Sequence, residues 1–147
     1  SFRNGLIVSC QVQKDEPIYT NDMVVKMAQA AKWAGAVGIR ANTPEQIRLI
    51  KENCDLPIIG LYKIWHEDTD VFITPTLEAC REVWEAGADI IALDCTSQLT
   101  HEKTKAWDLL PIVKREIPEA IIFADVANYA EARRAIDNGA DIVAPTL

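Results

Sequence analysis

The chain has 147 residues, of which 49% are apolar and 25% charged, and its formal charge at pH 7 is -7. This length and composition are typical of a globular domain with a substantial core. The acidic balance disfavours nucleic acid and anionic lipid membranes as partners, because both would be repelled. A small anionic substrate is still compatible with the charge, because a local pocket can be positive. No apolar run approaches the roughly 18 residues of a membrane span.

The four cysteines form no C-x-x-C pair and have no histidine at a metal-ligand spacing; they are Cys10, Cys54, Cys80 and Cys95. We therefore expect reduced, mostly buried thiols in a cytoplasmic protein. No signal-peptide pattern is visible, which agrees with a cytoplasmic location.

Taken in chain order, short apolar runs alternate with amphipathic stretches. The apolar runs predict strands at 6–10, 37–41, 58–62, 90–94, 121–125 and 142–145. The amphipathic stretches predict helices at 22–34, 44–53, 77–86, 102–116 and 129–138. Because the strand runs are continuously apolar, the pattern favours parallel strands that are covered on both faces or closed into a barrel.

Capping signals mark the ends of the predicted helices. Thr43 is followed by Pro44 and Gln46, and Asn128 by Glu131, so both are expected to cap helix N-termini. Glycines 35, 87 and 139 follow three of the helices, where a left-handed residue commonly ends a helix. Trp33, Trp84 and the stripe of Tyr129, Ala132 and Ile136 are expected to pack against the sheet. The repeating unit is therefore strand–loop–helix.

Five of the predicted strands have a polar residue at or just beyond their carboxyl ends: Gln11, Arg40, Lys63, Asp94 and Asp125. Parallel strands place their carboxyl ends on one side of the sheet, so these five side chains should converge. That side is the active-site face of an α/β barrel and the ligand crevice of an open α/β sheet. The pattern therefore indicates an enzyme rather than a scaffold.

Six strands and five helices are fewer than the eight of each in a closed (β/α)8 barrel. Such a barrel also needs at least about 200 residues. No linker divides the chain, so residues 1–147 are expected to form one domain. The first and last strands would be left as open edges. The sequence begins with Ser rather than Met, which suggests part of a longer chain; an open six-stranded sheet is the alternative.

Six motifs occur in one order along the chain: Gly5-Leu-Ile-Val-Ser-Cys-Gln11, Gly38-Ile-Arg-Ala-Asn42, Pro57-Ile-Ile-Gly60 with Lys63, Asp70-Val-Phe-Ile-Thr-Pro-Thr76, Ala88-Asp-Ile-Ile-Ala-Leu-Asp94 and Ala124-Asp125. Together they resemble the N-acylglucosamine-6-phosphate 2-epimerases, also called N-acetylmannosamine-6-phosphate 2-epimerases. The resemblance implies a phosphate-binding (β/α)8 TIM barrel, with roughly its first six strands and five helices present. One departure is Ala144-Pro-Thr-Leu147, where the family usually has Gly-Thr-Thr-Leu.

The resemblance also implies a function. The family interconverts N-acetylmannosamine 6-phosphate and N-acetylglucosamine 6-phosphate in bacterial sialic acid catabolism, and it commonly forms homodimers. Epimerisation at C2 needs acid/base groups on opposite faces and donors that hold the enolate, but no metal or redox cofactor. The family's second acid/base, a glutamate on strand 7, and its phosphate site have no counterpart here. A polypeptide of these 147 residues alone is therefore expected to be inactive.

By the resemblance, Lys63 is one catalytic acid/base, and Gln11, Arg40 and Asp125 bind substrate. Arg40 could also lower the pKa of Lys63, because a nearby cation disfavours the charged amine. Asp125 is expected to help organise Lys63, and Asp94 is a possible support for it.

Two alternatives stay open. The chain could belong to another phosphate-binding barrel enzyme that acts on a sugar phosphate or an aromatic precursor. It could also be a non-catalytic fragment that binds a sugar phosphate. The loop histidines His66 and His101 have no partnering ligands, so we expect them at the surface and outside the chemistry.

Overall fold

The computed structural model describes residues 4–20 and 22–147; residues 1–3 and 21, which the predicted domain includes, lie outside this part. Strands β1 to β6 are Ile7–Ser9, Gly38–Asn42, Ile58–Leu61, Ile90–Asp94, Ile121–Val126 and Ile142–Pro145. Helices α1 to α5 are Met23–Trp33, Pro44–Asn53, Leu77–Glu85, Leu109–Glu116 and Tyr129–Asp137. A short 3-10 helix, Ala106–Asp108, precedes α4. The order of elements confirms the predicted alternation.

All six strands are parallel, and each pairs with the next strand along the chain, in the order β1 to β6. A helix connects each strand to its neighbour, as in repeated βα units. The sheet curls into a half-barrel, with the helices on its convex side. The structure therefore confirms the predicted α/β architecture with six strands and five helices.

Alternate residues of each strand face opposite sides of the curled sheet. The outer residues, such as Ile39, Ile58 and Ile122, belong to the large core between sheet and helices. The inner residues form a second, smaller cluster that includes Ile59, Leu61, Ile90 and Ala92. Because both faces are covered with apolar side chains, the strands have the continuous apolar pattern seen in the sequence.

The predicted capping residues are confirmed at α2 and α5. The side-chain oxygens of Thr43 and Asn128 accept hydrogen bonds from the backbone N–H groups of Gln46 and Glu131. The three glycines that follow α1, α3 and α5, at positions 35, 87 and 139, all have positive φ. Local sequence signals therefore set these helix ends as expected.

The fourth helix is shorter than predicted, because it begins at Leu109 rather than near residue 102. The preceding segment is a turn, in which the Thr100 N–H donates to the Thr104 carbonyl. Lys103 has φ 61°, a left-handed conformation that breaks any helix through this position. The prediction mistook a polar turn for the first helical turn.

Two packing predictions for aromatic side chains were wrong. Trp33 is 91% exposed and Tyr129 is 83% exposed. The buried face of α1 consists of Val24, Ala28 and Ala31, and Trp33 lies about 200° around the helix from Ala31. Helix α5 likewise buries Glu131 and Ala135. The buried faces of α1 and α5 therefore do not include these two aromatic side chains.

All four cysteines are free and buried, as expected. Burial raises the pKa of the Cys10 thiol to about 11 and that of Cys80 to about 12. These thiols are therefore neutral packing groups at ordinary pH. No helix in the described part of the chain is both long and apolar enough to cross a membrane.

Candidate active site

The five polar residues predicted at strand ends lie on the inner side of the half-barrel. Arg40, Asp94 and Asp125 alternate in register with the inner apolar residues of β2, β4 and β5. Gln11 and Lys63 follow β1 and β3 at positions of the same alternation. The sequence pattern therefore located a real cluster of polar groups at the carboxyl ends of the strands.

Arg40 and Asp125 form an ion pair across the concave face. The Nη2 atom of Arg40 lies 2.7 Å from Oδ2 of Asp125, and the two side chains are 17% and 0% exposed. The guanidinium also lies over the ring of Phe123, 5.1 Å from its centroid. In a flat sheet β2 and β5 would be about 14 Å apart, so this contact requires the strong curl of the sheet.

The second oxygen of Asp125 is also occupied. The hydroxyl of Thr146, just after β6, donates a hydrogen bond to Oδ1 of Asp125. Asp125 is therefore fixed from two directions, by Arg40 on β2 and by the segment after β6. Thr146 belongs to the one motif that departs from the usual family pattern.

Lys63 lies two residues after the end of β3 and is partly buried. Desolvation lowers the pKa of its ammonium, the positive charge of Arg40 lowers it further, and Glu16 opposes both effects. Within residues 4–20 and 22–147, the ammonium has no hydrogen-bond or ion-pair partner. A lysine with these surroundings is available in the neutral form at lower pH than an ordinary lysine, as proton abstraction requires.

Asp94 is buried next to Asp125, its register partner on β5. Its Oδ1 atom accepts a hydrogen bond of 2.8 Å from the Thr96 backbone N–H. Burial raises the pKa of the Asp94 carboxyl, and the hydrogen bonds from Thr96 partly offset that increase. The hydrogen bonds of Asp94 thus anchor the loop after β4. Its suggested support of Lys63 stays a prediction.

Two polar atoms in the cluster are buried without a partner in the described residues: Oε1 of Gln11 and Nη1 of Arg40. The amide nitrogen of Gln11 donates to the Ser9 hydroxyl at 2.9 Å, which orients the side chain. One unpaired acceptor and one unpaired donor therefore lie in this cluster. Hydroxyl or amide groups of a ligand are suitable partners for each of these atoms.

The sequence model of the family described as "Putative N-acetylmannosamine-6-phosphate epimerase" matches residues 24–147. The chain belongs to this epimerase family.

Among its relatives, a protein of Listeria monocytogenes named "Putative N-acetylmannosamine-6-phosphate 2-epimerase" is 43% identical over 146 residues. The alignment covers 99% of the chain but only 62% of that relative. The N-acetylmannosamine-6-phosphate 2-epimerase of Clostridium perfringens has a similar structure, with a TM-score of 0.90 and 34% identity, over 99% of this chain and 63% of that one. A mandelate oxidase variant shares the fold alone, with a TM-score of 0.65 and 14% identity, over 93% of this chain and 46% of that one.

The chain thus spans a little over three fifths of the length of the epimerases it matches. The alignment extends over almost the whole chain, so the polar residues at the strand ends lie within the matched region. The family is the one that the sequence motifs between residues 5 and 125 resemble.

A cleft of about 440 Å³ adjoins Lys63 on the outer side of the cluster, between the loop after β1 and the first turn of α2. Asn42, Tyr62 and Trp65 also line it, whereas Arg40 and Asp125 do not. Of the five polar residues at the strand ends, Lys63 alone lines this cleft. Trp65 stacks on Phe72, with ring centroids 3.8 Å apart.

The two histidines belong to a contact between the loops after β3 and β4. The rings of His66 and His101 stack with centroids 4.1 Å apart, and Nδ1 of His101 lies 2.8 Å from Oδ1 of Asp68. Lys103 also pairs with Asp68, and its hydrogen bond, followed by that of His101, lowers the pKa of this carboxyl. These residues join two loops at the mouth of the half-barrel.

No cluster of three or more metal-ligating side chains occurs in the part of the chain that the structure describes. Sequence reasoning missed three polar contacts of the cluster: Asn42 with Lys63, Thr74 with the neighbouring backbone, and Thr146 with Asp125. Asn42 could have been found, because it ends one of the family motifs. Thr74 and Thr146 also lie in segments that the sequence analysis singled out, but their contacts depend on the paths of loops, which the motifs do not describe.

Proposed function

We propose that the protein, at the length of its relatives, interconverts N-acetylmannosamine 6-phosphate and N-acetylglucosamine 6-phosphate. The observation that carries this proposal is the partly buried Lys63, whose pKa is lowered by burial and by the charge of Arg40, in a chain of the epimerase family. The reaction inverts C2 by removing its proton from one face and returning a proton to the other.

Lys63 serves as one acid/base in this proposal. The C2 proton becomes acidic when the sugar ring opens and the negative charge of the enolate can move onto O1. A neutral Lys63 amine can take that proton, and the resulting ammonium can return one in the reverse direction. Arg40 keeps the amine neutral at lower pH and thereby raises the fraction of competent enzyme.

Arg40, Gln11 and Asp125 are the proposed substrate-binding groups. The free Nη1 donor of Arg40 suits a substrate oxygen, and the free Oε1 acceptor of Gln11 suits a hydroxyl or the N–H of the acylamino group. A carboxylate accepts about four hydrogen bonds, so Asp125 can still accept from a sugar hydroxyl beside Arg40 and Thr146.

The opposite face of C2 needs a second acid/base, and the 6-phosphate needs a binding site. In a (β/α)8 barrel, phosphate sites commonly form after strands 7 and 8. The six strands described here provide neither group, so both are assigned to the part of the relatives that the chain does not span. The proposed reaction is redox-neutral proton transfer, and we expect it to need no cofactor.

The cellular location and the oligomeric state of the protein are further expectations. We expect a cytoplasmic enzyme of sialic acid and N-acetylmannosamine catabolism that forms homodimers. Sedimentation of the purified protein checks the dimer: a single monomeric species across a wide concentration range would contradict it.

The test is exchange of the C2 proton followed by NMR in D₂O, with N-acetylmannosamine 6-phosphate as substrate. We compare a polypeptide of these 147 residues with one that is extended by the remaining part of the Listeria relative. Turnover is expected only from the extended protein, and it should survive EDTA. Saturable binding without any exchange in either protein would favour the non-catalytic alternative.

Variants of the extended protein test the residue assignment. Lys63→Met should lower kcat by about 10²–10⁴-fold, the usual contribution of general acid/base catalysis. Lys26→Met is the matched control, because Lys26 lies on α1 and pairs with the exposed Asp22. If Lys63→Met retains the activity of the Lys26→Met control, Lys63 is not the catalytic acid/base.

A further inference from the structure

The backbone that carries Lys63 leaves the parallel sheet before it reaches this residue. Strands β3 and β4 are in register only where Ile59–Gly60 meets Ile90–Ile91. Beyond that point, residues 62–64 pair antiparallel with residues 72–74 of the same loop. Lys63 is therefore carried by a hairpin, and no register pairing between β3 and β4 supports it at this level.

The hydroxyl of Thr74 joins this hairpin to the neighbouring strand. It accepts a hydrogen bond of 3.0 Å from the Tyr62 N–H and donates one of 2.7 Å to the Ala92 carbonyl on β4. The Thr74 N–H also donates to the Tyr62 carbonyl at 2.9 Å. Thr74 is fully buried, and its φ of 45° is costly for a β-branched residue. A strained backbone of this kind persists only where its surroundings hold it in place.

Asn42 holds the same backbone from the opposite side. Its Oδ1 atom, at the end of β2, accepts a hydrogen bond of 2.9 Å from the Lys63 N–H. The Asn42 side chain is almost completely buried, so this hydrogen bond is shielded from water. The two consecutive N–H groups of Tyr62 and Lys63 thus bond to side chains that belong to different neighbours.

We propose that Asn42 and Thr74 are positioning residues that hold the Lys63 backbone between β2 and β4 and so fix the position of the lysine side chain near Arg40. This inference rests on the proposed function for its catalytic consequence. Its physical reason is that Lys63 lies beyond the last register pair of β3 and β4, where these two side chains bond the N–H groups of Tyr62 and Lys63. A displacement of about 1 Å at a catalytic group can lower a rate by roughly 10²-fold.

Thr74 is tested with a matched pair of substitutions in the extended protein. Thr74→Val keeps the β-branched shape, and therefore the same backbone strain, but removes the hydroxyl and leaves the Tyr62 N–H without its partner. We expect kcat to fall by about 10–100-fold while KM changes by less than about threefold. Thr74→Ser restores the hydroxyl and should return kcat to within about threefold of the wild type.

Asn42 is tested with Asn42→Ala and Asn42→Asp. The first variant removes the acceptor and should lower kcat as Thr74→Val does. The second keeps an oxygen acceptor but adds a negative charge near Lys63, which favours the ammonium. Asn42→Asp should therefore retain kcat at high pH, with the acid limb of its pH–rate profile moved to higher pH.

A titration separates this inference from the proposed function. The ¹³Cε signal of Lys63, assigned by its loss in Lys63→Arg, reports the pKa of the amine without any turnover. Thr74→Val should move that pKa toward the ordinary value for lysine. Thr74→Ser should leave the pKa of Lys63 unchanged, and neither variant should change the titration of the other lysines. If the wild type shows no turnover, the proposed function fails, yet the titration still decides the positioning role.

The inference is overturned if Thr74→Val and Asn42→Ala lower the melting temperature but leave the Lys63 titration and kcat unchanged. A change confined to KM would also overturn it, because that pattern indicates weaker binding rather than a displaced base. If Thr74→Val does not fold, Asn42→Ala beside Asn42→Asp decides the question alone.

Discussion

Asp94 and Asp125 are register partners at the ends of β4 and β5, and both are buried, but their charges are compensated differently. Asp125 pairs with the guanidinium of Arg40. Within the described residues, Asp94 has no cation partner, and burial raises the pKa of its carboxyl, with the nearby Asp125 and Glu131 as smaller causes. A charged Asp94 therefore opposes folding, whereas the charge of Asp125 is neutralised.

We predict that Asp94→Asn stabilises the protein at neutral pH. Since the folded-state pKa of Asp94 lies above the unfolded value of about 3.9, the folded protein binds the proton more tightly. The wild type thus loses stability as pH rises from about 4 through the folded-state pKa. Asp94→Asn removes that loss while keeping an oxygen acceptor for the Thr96 N–H.

The measurement is urea unfolding of wild type and Asp94→Asn between pH 3.5 and 8. The variant should be more stable at pH 7, by about 1.4 kcal/mol for each unit of pKa elevation, and equal to the wild type at the acid end. A variant that is less stable at pH 7 would mean that Asp94 is stabilised by its charge, contrary to this prediction.

The Arg40–Asp125 pair should show the opposite behaviour on truncation. Asp125→Ala leaves the Arg40 guanidinium largely buried without its partner, so we expect a loss of about 3–5 kcal/mol in the free energy of unfolding. Arg40→Met should cost a similar amount, because it leaves the fully buried carboxylate unpaired. A double-mutant cycle by denaturant unfolding should give a coupling energy of at least about 1 kcal/mol. Additive single effects would show that the pair contributes no net coupling.

The repeating architecture could be predicted from sequence because it depends on local signals. Continuous apolar runs marked the buried parallel strands, and the caps at Thr43 and Asn128 marked two helix starts. The rotation of a helix about its own axis was harder to predict. Trp33 and Tyr129 are large aromatic residues, but α1 and α5 bury other faces, which carry Ala28 and Ala31 in α1 and Ala135 in α5.

The candidate site was predictable to the extent that it depends on strand ends. Period-two alternation at the carboxyl ends of parallel strands placed Arg40 and Asp125 on one side, and the curl of the sheet then joined them. The role expected for Asp125 as an organiser of Lys63 stays a prediction, since its carboxylate contacts Arg40 and Thr146. The contacts of Thr74 with the Ala92 carbonyl and of Thr146 with Asp125 depend on the paths of loops, which no periodic sequence pattern predicts.

Lys63 should reduce stability at neutral pH, which is a frequent cost of a catalytic group. Its folded-state pKa lies below the unfolded value of about 10.4, so folding disfavours the ammonium. Stability therefore rises as pH increases through the window between the two pKa values. We expect Lys63→Met to raise Tm at pH 7 by roughly 1–3 °C, a small change because the side chain is only partly buried.

Thermal unfolding at pH 7 and pH 9.5 checks this sign. The increase in Tm caused by Lys63→Met should be smaller at pH 9.5, because more of the wild-type amine is already neutral there. Lys26→Met, at an exposed position of α1, should not raise Tm. A variant that is less stable than the wild type at pH 7 would mean that Lys63 contributes more by packing than it costs by charge.

Gly60 sets how closely α2 and α3 approach the sheet at β3. A Cβ atom at this position would lie 2.6 Å from Cβ of Ala88, 2.8 Å from Cδ1 of Ile47 and 2.8 Å from Cγ1 of Val83. Gly60→Ala must therefore push the helices outward, and we expect a loss of about 1–3 kcal/mol, typical of overpacking. Urea unfolding measures it directly.

Two further substitutions, Gly35→Ala and Ala88→Gly, identify the cause of that loss. Gly35 has φ +90° and open space around the added Cβ, so Gly35→Ala should cost only the backbone strain of about 1–2 kcal/mol. Adding Ala88→Gly to Gly60→Ala removes the nearest clashing atom and should recover part of the stability, whereas the same addition to Gly35→Ala should not. If Ala88→Gly is equally harmful in both backgrounds, steric overlap at Gly60 is not the source of the loss, and the close approach of the helices does not depend on this glycine.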